Sequence, residues 1–126
     1  MPNFFAGLVV GIILLQTAIF APTIFTTIEA APAGKLLRAL FPKFFKLLAI
    51  LGLVTLLALG LSEQASPLQY IIAGLTVGFP VVCVVLVPVT NRATDNGDKE
   101  TFKRLHTLSV VLTMLVLAGN IALPWL

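Results

Sequence analysis

Apolar residues along this chain gather into four runs, each about as long as a bilayer is thick. The first extends from Phe4 to Ile28 without a charge. The second, from about Phe44 to Leu61, opens beside Lys43 and Lys46, whose stems can lie in the apolar layer while their amines reach the interface. The third covers about Pro67 to Val89 and the fourth about Leu105 to Leu126. A helix needs about 20 residues to cross a hydrocarbon core of roughly 30 Å. The pattern therefore predicts helices over about 4–28, 44–61, 67–89 and 105–126 in a single domain, residues 1–126, an all-α integral membrane four-helix bundle. Residues 29–43 read as a loop punctuated by Pro32, Gly34 and Pro42, with a short interfacial helix over Lys35–Leu40 as the alternative. The stretch 62–66 reads as a turn and 90–104 as a second loop. The first run has no basic n-region and outlasts an h-region of about 7–15 residues, so it reads as a span and not as a signal peptide.

Polar residues inside the runs fall on stripes. In the fourth, His106, Ser109, Thr113 and Asn120 share one face at 100° per residue. In the third, Gln69, Thr76, Cys83 and Thr90 recur every seventh position. In the first, Gln16, Thr23 and Thr27 share a face with Phe20, and the second offers Thr55. Lipid cannot satisfy such groups, so the stripes should turn inward and converge on a polar axis. Two readings stay open. Ser and Thr can bond back to their own helix and Gln16 and Asn120 can hold helices together, or the stripes line a cavity for water or a ligand. Two GxxxG pairs, Gly7/Gly11 and Gly74/Gly78, predict close helix packing, within the bundle or between copies. Pro22, Pro80 and Pro88 can each bend their helix, Pro80 at the greatest depth.

Composition agrees with the membrane reading. The mean hydropathy is +1.08. Of 126 residues only 8 are Lys or Arg and 5 are Asp or Glu, far below the roughly one quarter that a soluble surface needs. All eight basic residues fall at one end of the four-span arrangement: Lys35, Arg38, Lys43 and Lys46 before the second span, Arg92, Lys99, Lys103 and Arg104 between the third and fourth. Short basic loops stay in the cytoplasm, so both termini are expected outside, on the periplasmic face of a bacterial inner membrane. Basic residues this close to the bilayer and mixed with acids do not make a nucleic-acid site.

The chemistry offered is sparse. Glu29, Glu63, Asp95, Asp98 and Glu100 all lie outside the spans, and no two have the spacing of a paired acid and base. There is no HExxH and no phosphate loop, so no catalytic residue and no enzyme activity is expected. The single Cys83 rules out an internal disulfide and a cysteine-only metal cage, and reads as a core thiol. Metal donors near the membrane are limited to His106, Cys83 and Met114, and one histidine would hold haem from one side only. His106 reads either as an interfacial side chain bonded to a carbonyl or to an acid such as Asp95, or as a ligand, proton carrier or metal contact.

The order of short motifs resembles a known family. Phe4-Phe5-Ala6-Gly7 with Gly11, Ala21-Pro22-Thr23-Ile24-Phe25, Phe41-Pro42, Pro88-Val89-Thr90-Asn91-Arg92, and Phe102-Lys103-Arg104-Leu105-His106 with Ser109 resemble the four-helix membrane family that includes transmembrane protein 205, in bacteria a domain of unknown function. The resemblance spans nearly the whole chain and implies the four-span fold. In eukaryotes that family is linked to export of, or resistance to, platinum compounds, for which this chain offers few soft donors. Phe25, Thr27, Arg92 and His106 should share one depth, the mouth of a cavity with Gln16 and Thr113 further in. There Arg92 would grip a phosphate or carboxylate, or else cap helix carbonyls or lipid phosphate. Three functions remain open: a binder or mover of a small solute or metal species, acting as a homo-oligomer; an accessory subunit of a larger membrane complex; and a haem- or cofactor-binding redox protein. The sequence names no cofactor, and the bilayer is the partner it does imply.

Overall fold

The computed structural model describes residues 2–126. Four helices are long and apolar enough to cross a membrane: α1 Pro2–Thr27, α2 Ala30–Gly60, α3 Pro67–Asp95 and α4 Lys99–Trp125, the last closing in a 3-10 turn over Leu123–Trp125. No strand occurs among the described residues. Each helix packs on the next and α4 closes back on α1, which makes a four-helix bundle. Its core joins Val9 and Ile13 of α1, Phe44, Phe45 and Leu48 of α2, Cys83 of α3 and Val116 of α4.

The helices outrun the apolar runs that predicted them. Helix α2 begins at Ala30 and not near Phe44, so all of the expected loop over 29–43 except Glu29 is helical. Pro32 lies in its first turn, where an amide has no helical acceptor anyway. Lys35 to Leu40 are strong helix formers, and the helix passes through Pro42 with one bond fewer. At 1.5 Å per residue α2 is about 46 Å long against roughly 30 Å of hydrocarbon, so its charged first third lies at or beyond the headgroups. Likewise α3 continues to Asp95 and α4 starts at Lys99, which reduces the expected second loop to Asn96–Asp98. Gly97 turns it with φ +69°, a left-handed conformation that suits glycine. Asp98 then caps α4, its Oδ1 accepting the Thr101 amide at 3.1 Å and its Oδ2 the Thr101 hydroxyl at 2.6 Å. At the opposite end Ser66 and Gln69 exchange bonds of 3.1 and 3.3 Å in a capping box, with Pro67 in the first position.

Helix α1 contains a wide π turn over Leu15–Phe20, where the Ala21 amide donates to the Gln16 carbonyl five residues back. Pro22 follows it. Lacking an amide, proline cannot complete the α-helical ladder, and the wide turn makes room for its ring. One extra residue in a turn rotates everything after it by about 100°. The buried face therefore runs Ala6, Val9, Ile13 and Gln16, and beyond the wide turn Ala21 and the exposed Phe25 border the space between the helices. Of the stripe expected on this helix only Gln16 is inside; Phe20, Thr23 and Thr27 are exposed.

Close packing falls elsewhere than expected. A Cβ added at Gly7, Gly11, Gly74 or Gly78 would meet nothing within 4 Å, so neither GxxxG pair seats another helix of this chain. The residue that does is Gly52 of α2, where a Cβ would sit 2.9 Å from the Thr76 carbonyl carbon and the Val77 nitrogen. Helices α3 and α4 are joined by polar links along one seam. Gln69 Nε2 donates to the Leu123 carbonyl at 2.9 Å, Asn120 Nδ2 donates to Thr76 Oγ1 at 2.9 Å, and the Cys83 thiol points to the Ser109 carbonyl at 3.9 Å.

Candidate functional site

Helix α1 meets α4 through its first half, whereas Ala21–Thr27 packs on α2. Towards the basic end the four helices thus part around a cavity of about 580 Å³. Sites for small molecules occupy about 300–1,000 Å³. Phe25 of α1 and Phe102, His106 and Val110 of α4 line it while exposed, so it opens between these two helices.

Most of its wall is apolar. Helix α2 supplies Leu37, Phe41, Phe44 and Phe45 at helical spacing, α3 supplies Val87, and α4 supplies Val110 and Met114. Rings of Phe41 and Phe45 stack with centroids 6.0 Å apart. Most polar members of the wall are already engaged. The hydroxyls of Thr17, Thr90 and Thr113 donate to carbonyls four residues back at 2.8–2.9 Å. Arg38 grips Asp95 with both terminal nitrogens, at 2.5 and 3.3 Å, tying α2 to α3 at the rim. His106 lies flat on Phe102, centroids 5.5 Å apart and planes 9° apart. The acid it was expected to meet, Asp95, belongs to Arg38 instead.

Gln16 differs from the rest. It is 4% exposed, lines the cavity, and its Nε2 is buried with no hydrogen-bond partner. Buried donors are normally paired, so an orphaned one calls for an explanation. The position one turn beyond Gln16 holds the small Ala21, because the π turn has moved Phe20 out.

Of the residues singled out in the sequence, the structure brings Gln16, His106, Ser109, Thr113 and Met114 to this cavity. Three of the candidate ligand and metal residues do not line it: Asn120, Arg92 and Cys83. Asn120 lies at the far end, bonded to Thr76. Arg92 is exposed on another side of α3, about 150° around the helix from the face carrying Val87, Thr90, Asn91 and Thr94. Arg38 stands where Arg92 was expected. A loop over 29–43 gives Arg38 no helix face, although Leu37, Arg38, Phe41, Phe44 and Phe45 carry a helical period that could have found it. Cys83 is buried beside the cavity and does not line it. Among the described residues no three His, Cys, Asp or Glu side chains cluster to hold a metal.

No curated protein and no solved structure matches this chain. A family model does match, over residues 4–99, which takes in α1 to α3 and hence three of the four cavity walls. By that match over most of its length, the chain belongs to the family described as Domain of unknown function (DUF4149).

Proposed function

We propose that this membrane protein binds a small, mainly apolar solute in the cavity at its basic end. The observation that carries this reading is the buried, unpartnered Gln16 amide in the wall of an otherwise apolar space of about 580 Å³. Passage across the bilayer would need another copy, since transport paths form between repeats or subunits. The basic end faces the cytoplasm in this proposal, supported by the placement of all eight Lys and Arg residues. Reporter fusions after Leu126 and at Gly97 test the orientation; a cytoplasmic signal after Leu126 reverses it. For binding, protein in lipid nanodiscs is extracted and the extract compared by mass spectrometry with empty nanodiscs. The wild type should retain a small molecule that Val110→Trp, which fills the opening, does not. Equal extracts from wild type, variant and empty discs refute the reading.

Assembly with other chains is a second reading, favoured by the outward GxxxG pairs. Gly7/Gly11 and Gly74/Gly78 lie on α1 and α3, which run parallel and begin at the same end of the bundle. Bare glycines on such a surface let another backbone approach. Native mass measurement should show an oligomer or complex that Gly11→Leu or Gly78→Leu disperses; a wild-type monomer rejects it.

A further inference from the structure

We infer that the solute is an uncharged, ring-bearing carbonyl compound whose oxygen accepts a hydrogen bond from Gln16. This rests on the cavity being a solute site and adds what it selects. Among the described residues, Gln16 Nε2 is the one buried side-chain donor without a partner. The Gln16 oxygen accepts no bond from the protein either, so nothing locks the terminal amide. A half-turn about the last side-chain bond exchanges nitrogen and oxygen with almost no change of shape. Turned so, the donor faces the cavity, where a ligand acceptor pairs it, and the oxygen takes the closed place, where an unpaired carbonyl is tolerated better than an unpaired N–H.

Charge is excluded by what surrounds that amide. The guanidinium at the rim, Arg38, is already held by Asp95. The remaining titratable lining group, His106, is stacked on Phe102 at the opening. An anion or cation beside Gln16 would have no counter-charge in an apolar surround, which is costly. Flat rings are favoured by the wall itself. Phe44 and Phe45 lie 5.3 Å apart beside Phe41, offering aromatic faces and edges to a planar partner. A carbonyl attached to an aromatic ring meets all three conditions.

A matched pair of probes tests this, 2-acetylnaphthalene and 2-ethylnaphthalene, alike in shape and differing in the carbonyl. Dissociation constants are measured on wild-type protein in lipid nanodiscs, with partition into empty discs subtracted. The acetyl compound should bind about tenfold more tightly, the ratio expected of one added buried hydrogen bond. Gln16→Met, similar in length but without a donor, should erase the difference. Thr55→Val, whose hydroxyl bonds Leu51 outside the cavity, should preserve it. Equal affinity of both probes for the wild type overturns the inference and leaves solute binding standing. Loss of the preference in Thr55→Val as in Gln16→Met also overturns it. Binding of neither probe overturns both this inference and the proposed function.

Discussion

Replacing Gly52 with alanine tests the bundle at its closest approach. The new Cβ would lie 2.9 Å from the Thr76 carbonyl carbon, the Val77 nitrogen and the Val77 Cγ2. Carbon atoms prefer about 3.5–4.0 Å, and backbone cannot rotate aside, so α2 and α3 must separate by roughly 0.6–1 Å. Overpacking of this kind costs about 1–3 kcal/mol. Alanine in a helix recovers about 0.5–1 kcal/mol relative to glycine. The net loss should be about 0.5–2 kcal/mol. Gly119→Ala should cost less, because its nearest contact at 3.1 Å is the side chain of Ile72, which can yield. Gly7→Ala, Gly11→Ala, Gly74→Ala and Gly78→Ala meet nothing in the protomer and should be neutral or stabilising. The protein carries its own reporter: Cys83 is the sole cysteine and 1% exposed, so a thiol-reactive fluorogenic dye labels it on unfolding. Heating each variant with the dye should give midpoints in the order Gly78→Ala, then Gly119→Ala, then Gly52→Ala. A Gly52→Ala midpoint at or above wild type would refute the packing account.

Asn120→Leu should change stability by less than about 1 kcal/mol, because Thr76 keeps its bond to the Ile72 carbonyl and the buried, unpartnered Asn120 Oδ1 is removed. Asn120→Ala should cost about 2 kcal/mol more through the space it leaves, and equal losses by the dye assay would contradict this. Arg92→Ala should leave the affinity of any cavity probe unchanged, since Arg92 is on another side of α3; a several-fold loss would restore it to the rim. The Asp98 carboxyl is held below its usual range by the Thr101 hydroxyl, then by the Thr101 amide. Its cap therefore contributes fully above the unfolded carboxyl pKa of about 4 and is lost as pH falls through the lower folded value. Hydrogen exchange at the Thr101 amide, corrected for intrinsic rate, should lose protection on acidification in wild type and not in Asp98→Ala; parallel behaviour would remove Asp98 from the cap.

Four spans were legible because charge stops where hydrocarbon begins, and the seams on α3 and α4 because polar side chains there have nowhere else to go. The helix limits were hidden for the converse reason. Ala30 to Pro42, interrupted by Lys35 and Arg38, and the polar Asn91 to Asp95 are helical yet lie outside the charge-free runs, and an apolar window ends at the headgroups whether or not the helix does. With α2 cut short, Arg38 had no face to belong to, so its place at the rim went to Arg92. In α1 the period itself changes. Gln16 is inside, but a constant 100° step then predicts Phe20, Thr23 and Thr27, whereas the structure uses Ala21 and Phe25. Pro22 was the visible sign, read as a bend when its larger effect is a rotation of the inner face. The GxxxG pairs mark surface, because the pattern records that a backbone can be approached and not which helix approaches it.

The three links between α3 and α4 bear on how the molecule comes together. They fall at seven-residue intervals on α3, at Gln69, Thr76 and Cys83, each paired with a point on α4. A slip of one helical turn would disconnect all three at once, and a connection of only three residues leaves no slack for it. This hairpin therefore has a single register and can assemble as a unit before the rest docks. The second half of α1 has no such lock, since its threonine hydroxyl bonds stay within the helix. The cavity should accordingly be the last region to close and the first to open, at the side where α1 can swing away from α4. Amides of Ala21–Thr27 are expected to exchange faster than those flanking Thr76 and Asn120; the reverse order would place the movable wall elsewhere.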